Sequence, residues 1–414
     1  MKRSLSVKRN AVSRLGNIAL LMFGVVIALG IMEFFLRTFP NLVPTEVRVN
    51  PPVRRVRAFV NETYDLKQSD GDLYNWLRGS IAPLSPDQDK VVAHVHMTTD
   101  AHGFRNSLPE KATYDIVALG DSFTRASGVA IPWPQKLAEH TGSDVLNLAD
   151  VGMGPQEELE ILRQYGLEKQ PRWVIMAYFG GNDMNDAAAY ELANPFILAR
   201  LGRYAFTQGI EAWRENNEGE AIAAHTSNYR YPIVLKINGS RREMAFLPAY
   251  IAWWSLCRDE IESSKNYHYV KEAILKAREI SEVGKSSFLL VYIPSKEQTY
   301  LPYVNDAETL ATIFSDVPTI EQDVSGYLQL TPQKVAPELT CQQMDNQAQL
   351  LAGFAAEQNI NFLDLTQHFQ EEASAGAELY YPFDTHWNQN GHNLAAQIIA
   401  KYINSGKSFV FRSR

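Results

Sequence analysis

Five short stretches of the chain are nearly continuous in apolar residues: Ile116–Leu119, "DVLNLA" at 144–149, "RWVIMAYFG" at 172–180, "SSFLLVYIP" at 286–294 and "NINFLDL" at 359–365. Runs of that length without polar alternation predict strands buried on both faces. Segments of helical period stand between and after them: "WPQKLAEHTG" at 133–142, "PQEELEILRQYGLEKQ" at 155–170, "YVKEAILKAREISEVG" at 269–284, "MDNQAQLLAGFAAEQ" at 344–358 and "NQNGHNLAAQIIAKYIN" at 388–404. The second opens with Pro155 and acids in its first turn, as helix starts do. Strand and helix in alternation predict an α/β fold with a parallel sheet of about five strands, helices on both faces. The segment at about 186–269 breaks the rhythm. It is rich in aromatics (Trp213, Tyr229, Tyr231, Tyr250, Trp253, Trp254), mostly helical in pattern, and reads as an insertion between the third and fourth strands. Its aromatics either line a substrate groove or pack the insertion onto the body.

The longest apolar run lies at the start. From Leu15 to Leu36 only Asn17 and Glu33 are polar, and these 22 residues as a helix span about 33 Å, enough for a bilayer core. Five basic residues (Lys2, Arg3, Lys8, Arg9, Arg14) precede it without an acid, which orients the N-terminus to the cytoplasm and everything after Arg37 outside. Glu33 stands near the outer end, within reach of the interface. A cleaved signal peptide, cut after Ala28-Leu29-Gly30, and a buried core helix are the alternatives. Pro40, Pro44, Pro51 and Pro52 then suggest an extended linker. The predicted organisation is a basic tail at 1–14, an anchor at 15–36, a linker at 37–54, a lead-in at 55–113 and a main domain at 114–405.

Charge and cysteine content narrow the class. The chain has 414 residues and a net charge of −8, and the part beyond the basic tail carries 34 basic against 47 acidic residues. An acidic body of that kind argues against nucleic acid as partner. Cys257 and Cys341, the two cysteines, either bridge in an oxidising compartment or remain separate thiols. "VVAHVHMTT" alternates as a strand and places His94 and His96 on one face, but no third metal ligand follows at suitable spacing. "DAHGFRN" after it is turn-like.

In open parallel sheets, ligands bind at the carboxyl ends of the strands. There the sequence places Gly120-Asp121-Ser122 after the first strand, and Asn147, Gly152 and Gly154 after the second. Gly180-Gly181-Asn182-Asp183 follow the third, and "YYPFDTHWNQNGH" precedes the last helix. Together these hold the inventory of acyl transfer. Ser122 is the candidate nucleophile, His386 the base that takes its proton, and Asp384 the group that orients the ring. The Ser122 and Gly152 N–H groups and the Asn182 amide are candidate oxyanion donors. His392, in the helix start, reads as structural.

With these blocks in view, the chain resembles the SGNH hydrolase superfamily, the GDSL-like esterases and lipases. "GDSFT" at 120–124 matches its first block, "NLADVG" at 147–152 resembles its second, and "GGND" at 180–183 matches its third. The resemblance runs from about Asp100 to the C-terminus, apart from much of the insertion. It implies a three-layer α/β/α fold with a flavodoxin-like sheet, no metal and no organic cofactor. Two departures stand out. The last block is Asp384-Thr385-His386, D-x-H in place of the usual D-x-x-H, a form similar to the alginate O-acetyltransferase-like members. Ala149 stands where the second block often has glycine. The order of basic tail, apolar span, "HGFRN" and "GDSFT" looks like bacterial membrane-anchored members associated with envelope polysaccharides. The expectation is a serine ester hydrolase held by one span in the inner membrane, acting on the periplasmic side on an ester of a carbohydrate or lipid. An O-acyltransferase for an envelope polysaccharide is the alternative, and a non-catalytic polysaccharide-binding protein the second.

Overall fold

The computed structural model describes residues 20–36, 38–39, 42–43, 61–69, 91–192, 197–198, 201, 233–237, 240–304, 307–314, 317–323, 325–330 and 344–405. The basic tail, Leu15, the linker prolines, Trp213, Tyr229, Tyr231 and Cys341 lie outside them. The chain divides into two units, residues 1–52 with 191–219, and residues 53–190 with 220–414.

In the first unit, residues 20–36 are helical, and the apolar side chains from Leu20 to Phe35 reach 44% to 72% exposure. Among the described residues no helix is long and apolar enough to cross a membrane. The described residues begin five positions into the apolar run. Glu33 is buried, and its two carboxylate oxygens accept the backbone N–H groups of Ile197 and Leu198 at 2.9 and 3.0 Å. Val43 and Ile197 pack together beside it with Leu36 and Leu201.

The second unit opens with an antiparallel pair, β1 (Thr63–Ser69) and β2 (Val91–Thr98). His96 pairs there with Asp65 at 2.9 Å on an exposed face. The body is a five-stranded parallel sheet of β3 (Ile116–Leu119), β4 (Val145–Asn147), β5 (Trp173–Phe179), β8 (Ser287–Ile293) and β11 (Asn361–Asp364). Its spatial order is β11-β8-β5-β3-β4, the 2-1-3-4-5 order of flavodoxin-like sheets. The apolar runs form the central strands because helices cover both faces. The chain runs from β3 outward to β4, then back across β3 to β5. With right-handed crossovers that reversal puts the first two connecting helices on opposite faces. Accordingly α2 (Trp133–Thr141) packs with the last helix, α9 (Gln389–Asn404), and α3 (Pro155–Ile161) packs with α5 (Lys265–Val283). The reversal of strand order between β3 and β5 opens the crevice where such sheets hold ligands.

The described residues of the insertion hold strands as well as helices. After α4 (Asp183–Leu192), its described residues include an antiparallel hairpin, β6 (Ile233–Ile237) with β7 (Ser240–Met244). Two short helical turns, Pro248–Ile251 and Ala252–Ser255, follow. Trp253 and Trp254 are buried, so they pack the insertion and do not line an open groove. Cys257 is disulfide-bonded, and the chain's one other cysteine is Cys341. The remaining strands, β9 (Ile320–Gln322) and β10 (Leu328–Leu330), pair with each other.

A buried ion pair ties the first two sheet-end loops together. Arg125 Nη1 donates to Asp150 Oδ1 at 2.6 Å, with side chains 3% and 2% exposed. Removing one partner strands the other charge in the interior. Asp150→Ala should therefore lower the unfolding free energy by about 3–5 kcal/mol, read as the shift in a denaturant titration.

Candidate active site

Strand β3 ends at Leu119, and the chain turns at once into the single-turn helix α1 (Ser122–Arg125). Asp121 caps it, its Oδ1 accepting the Phe123 N–H at 2.9 Å. This places Ser122 at the first helical position, half-buried, at the carboxyl edge of the sheet. From the loop before α9, His386 reaches the same point. Its Nε2 lies 2.8 Å from Ser122 Oγ and its Nδ1 lies 2.6 Å from Asp384 Oδ1. The three residues are separated by up to 264 positions in sequence and form one continuous hydrogen-bonded line. His386 keeps a third of its side-chain surface exposed while Asp384 is buried.

The loop that carries this acid and base has little regular structure beyond a single bridge between Tyr380 and Trp387. A residue the sequence reading passed over holds it. Lys296, at the start of α6 (Lys296–Tyr300), has no exposed surface. Its ammonium donates to the carbonyls of Tyr381, Pro382 and Asp384 at 3.2, 2.9 and 2.7 Å. Lys296 stands just past the end of β8, at the same sheet edge as the other loops, but no motif in its flanking sequence marks its role.

On the Ser122 side the motif "HGFRN" does comparable work. Arg105 is buried and donates to the carbonyl of Ala126, to Val129 O at 2.8 Å and to Ala130 O at 2.9 Å, fixing the chain just after α1. Asn106 pairs with the backbone of Asn147, donating to its carbonyl and accepting its N–H, both at 2.9 Å. Asn147 in turn donates to Thr124 O at 3.0 Å.

Gly152 lies on the exposed loop after β4 with φ of +73°, a left-handed conformation that glycine adopts without strain. Asn182 precedes α4, and its Nδ2 donates to Asp186 Oδ2 at 2.7 Å. Tyr250 from the insertion closes over this end. Its ring stands edge-on to Phe179 at 5.4 Å, its hydroxyl faces the Thr385 side chain, and a Cβ on Gly181 would meet it at 3.1 Å. His392 is buried, its ring edge-on to Trp387 at 5.5 Å. Burial first, then Arg105 and His386, push its imidazole down to about 3, so it stays neutral.

The carboxyl groups around the site divide into two kinds. Asp384 feels burial, which raises its pKa, but the charge of His386 and two hydrogen bonds from that residue outweigh it, with Lys296 adding to them. The net direction is down, and Asp384 is an anion. The others go up, burial being the largest cause in each: Asp121 to about 6, Asp186 to about 7, and Glu157, Glu158 and Asp183 well above the usual range. A base whose protonated form faces the one firmly ionised carboxylate is suited to taking the Ser122 proton.

A family model described as the SGNH hydrolase-like domain of the acetyltransferase AlgX matches residues 328–410, which include Asp384 and His386. That C-terminal stretch of the chain is similar to an SGNH hydrolase-like domain. No curated protein sequence matches the chain. Solved structures similar to it include a GDSL-like lipase from Bacteroides thetaiotaomicron, 10% identical over 72% of this chain and 92% of that one, with a TM-score of 0.33. A catalytic mutant of an acetylxylan esterase from Geobacillus stearothermophilus is 12% identical over 71% and 95%, with a TM-score of 0.34. A lipase/acylhydrolase from Enterococcus faecalis is 11% identical over 70% and 95%, with a TM-score of 0.33. The reading of the site rests on its own distances.

The two histidines of the last block give opposite expectations. His386→Ala should lower kcat on a short-chain aryl ester by about 10³-fold or more, and Ser122→Ala likewise. His392→Gln should keep kcat within about tenfold and lower the melting temperature. Steady-state kinetics with a thermal scan on each variant checks both.

Proposed function

We propose that the protein is a serine ester hydrolase of the SGNH type, acting outside the cytoplasm on an ester of a carbohydrate or lipid. The observation that carries this reading is the line from Ser122 Oγ through His386 to Asp384, at 2.8 and 2.6 Å. In the reaction it supports, His386 Nε2 takes the Ser122 proton as Oγ attacks the ester carbonyl. The tetrahedral oxyanion is met by the N–H groups of Ser122 and Gly152 and the amide of Asn182. Collapse breaks the ester C–O bond, and the imidazolium returns its proton to the leaving alcohol. Water, giving a proton to His386, then attacks the acyl-serine; the acyl C–Oγ bond breaks, the imidazolium returns the proton to Ser122 Oγ, and the acid leaves. Asp384 remains an anion throughout and offsets the charge on the ring.

A second reading, O-acyl transfer to an envelope polysaccharide, draws on the match of residues 328–410 to a domain of an acetyltransferase. Both readings share the acyl-Ser122 intermediate and differ in what attacks it. Water stands at about 55 M, so transfer prevails only where a bound hydroxyl reaches a higher effective molarity. A non-catalytic binding module has no use for a serine held in hydrogen-bond reach of a charged-pair histidine.

For location, the acid-free basic tail and the apolar run from Leu15 to Leu36 support a single-pass anchor in the cytoplasmic membrane. The apolar side chains exposed around the helix at 20–36 suit lipid as their surroundings. The disulfide at Cys257 suits an oxidising compartment.

Two measurements test these readings. Supplied with an activated acyl donor, with and without envelope glycans, the enzyme should release more free acid than acylated glycan. An excess of acylated glycan with a natural acceptor replaces hydrolysis by transfer, and an enzyme as active in Ser122→Ala as in wild type removes both. The full-length protein should stay in the membrane pellet after alkaline carbonate washing, whereas a soluble form beginning at Ile31 would mark a cleaved leader.

A further inference from the structure

Asn182 is asked to present an N–H to an oxyanion, yet its side chain is a rotor with two ends of nearly equal shape. With the carbonyl end forward it would repel the charge it is meant to stabilise. Something must decide between the two ends. Asp186 stands one helical turn further along α4, and its Oδ2 accepts from Asn182 Nδ2 at 2.7 Å. A carboxylate accepts and does not donate, so it favours only the NH2 end opposite it. The amide is planar, and committing one N–H to Asp186 also sets the direction of the second.

Asp186 sits where the other oxyanion loop arrives as well. A Cβ on Gly154 would lie 2.9 Å from Asp186 Cβ and 3.2 Å from its carbonyl carbon, so the loop that carries Gly152 runs directly against this residue. Gln156, two positions on, donates to Ala187 O at 3.1 Å and fixes the same contact. One side chain therefore touches the amide donor and borders the segment of the backbone donor.

Resting on the ester-chemistry reading above, we propose that Asp186 is a positioning residue that locks the Asn182 amide with its N–H turned to the acyl oxygen. It does not touch substrate, and it acts through Asn182. Burial, and next the neighbouring Asp121, push the Asp186 carboxyl up to about 7, so kinetics at about pH 8.5 read its ionised form.

The test uses the full-length protein in detergent with p-nitrophenyl acetate as probe. Asp186→Asn is nearly isosteric but can offer either an oxygen or an NH2 to Asn182, and so no longer selects an end. Its kcat should fall about 10- to 100-fold with KM nearly unchanged, as for loss of an interaction made in the transition state. Combined with Asn182→Ala, which alone should cost about 10²–10³ in kcat, it should add less than about twofold. Asp186→Ser provides the same comparison if the asparagine variant fails to fold. A kcat within twofold of wild type in Asp186→Asn overturns the proposal, and so do effects that multiply in the double variant, which mark a structural role. An unchanged kcat in Asn182→Ala instead overturns the oxyanion role of Asn182 itself, and the proposal falls with it.

Discussion

A lysine ammonium without any exposed surface is the contact on which the site depends most. The loop from Tyr381 to His386 is irregular, and irregular backbone leaves carbonyls that must find donors. Lys296 supplies three of them from one atom. Burying a cation is costly, and the cost is offset only where its hydrogen bonds are met and opposite charge is near. The carbonyl dipoles meet the first condition. Asp384, whose pKa Lys296 helps to lower, and the adjacent Glu297, whose rise it restrains, answer the second. Glu297 also accepts the Leu247 N–H at 2.7 Å. The turn that bears Tyr250 is thus tied to the helix that holds the loop from Tyr381 to His386.

The nucleophile's side of the crevice reaches the same end with arginines. Arg105 gathers carbonyls after α1, and Arg125 joins α1 to Asp150 on the loop after β4. A guanidinium has five donors in a fixed fork, so one side chain can hold several strands of loop at defined angles. Both loops are therefore set before any substrate arrives. That matters because Ser122 and His386, on separate loops, must keep their 2.8 Å separation without help from regular structure.

Much of the frame was legible in the sequence, for a physical reason. Central strands of a parallel sheet touch apolar neighbours on both faces, so they appear as unbroken apolar runs, and the five segments recognised in this way are the five strands of the sheet. Their carboxyl ends pointed to Ser122, Asn182, Asp384 and His386 by chemistry and position. The residues that escaped act through three-dimensional neighbours. Lys296 is one charged residue beside a turn, and nothing in its flanks announces three carbonyls 85 to 88 positions away. The hairpin at β6 and β7 is different, because its signal was present. Asn238-Gly239 between two runs containing β-branched or alternating residues is the strongest short hairpin signature, and a preference for helical period across the insertion obscured it.

The short spacing of the last block follows from the same local chemistry. With one residue between acid and base, Asp384 Oδ1 accepts both the backbone N–H of His386, at 2.8 Å, and its ring Nδ1, at 2.6 Å. The first bond is that of an Asx-type turn, which folds the side chain of residue i back over residue i+2. It brings the carboxylate to the imidazole without the further residue of the D-x-x-H form. The turn leaves Thr385 as the intervening residue, where its side chain meets the Tyr250 hydroxyl. Shortening the block does not weaken the hold on the histidine. It exchanges a longer loop for a turn braced from below by Lys296 and from the side by the insertion.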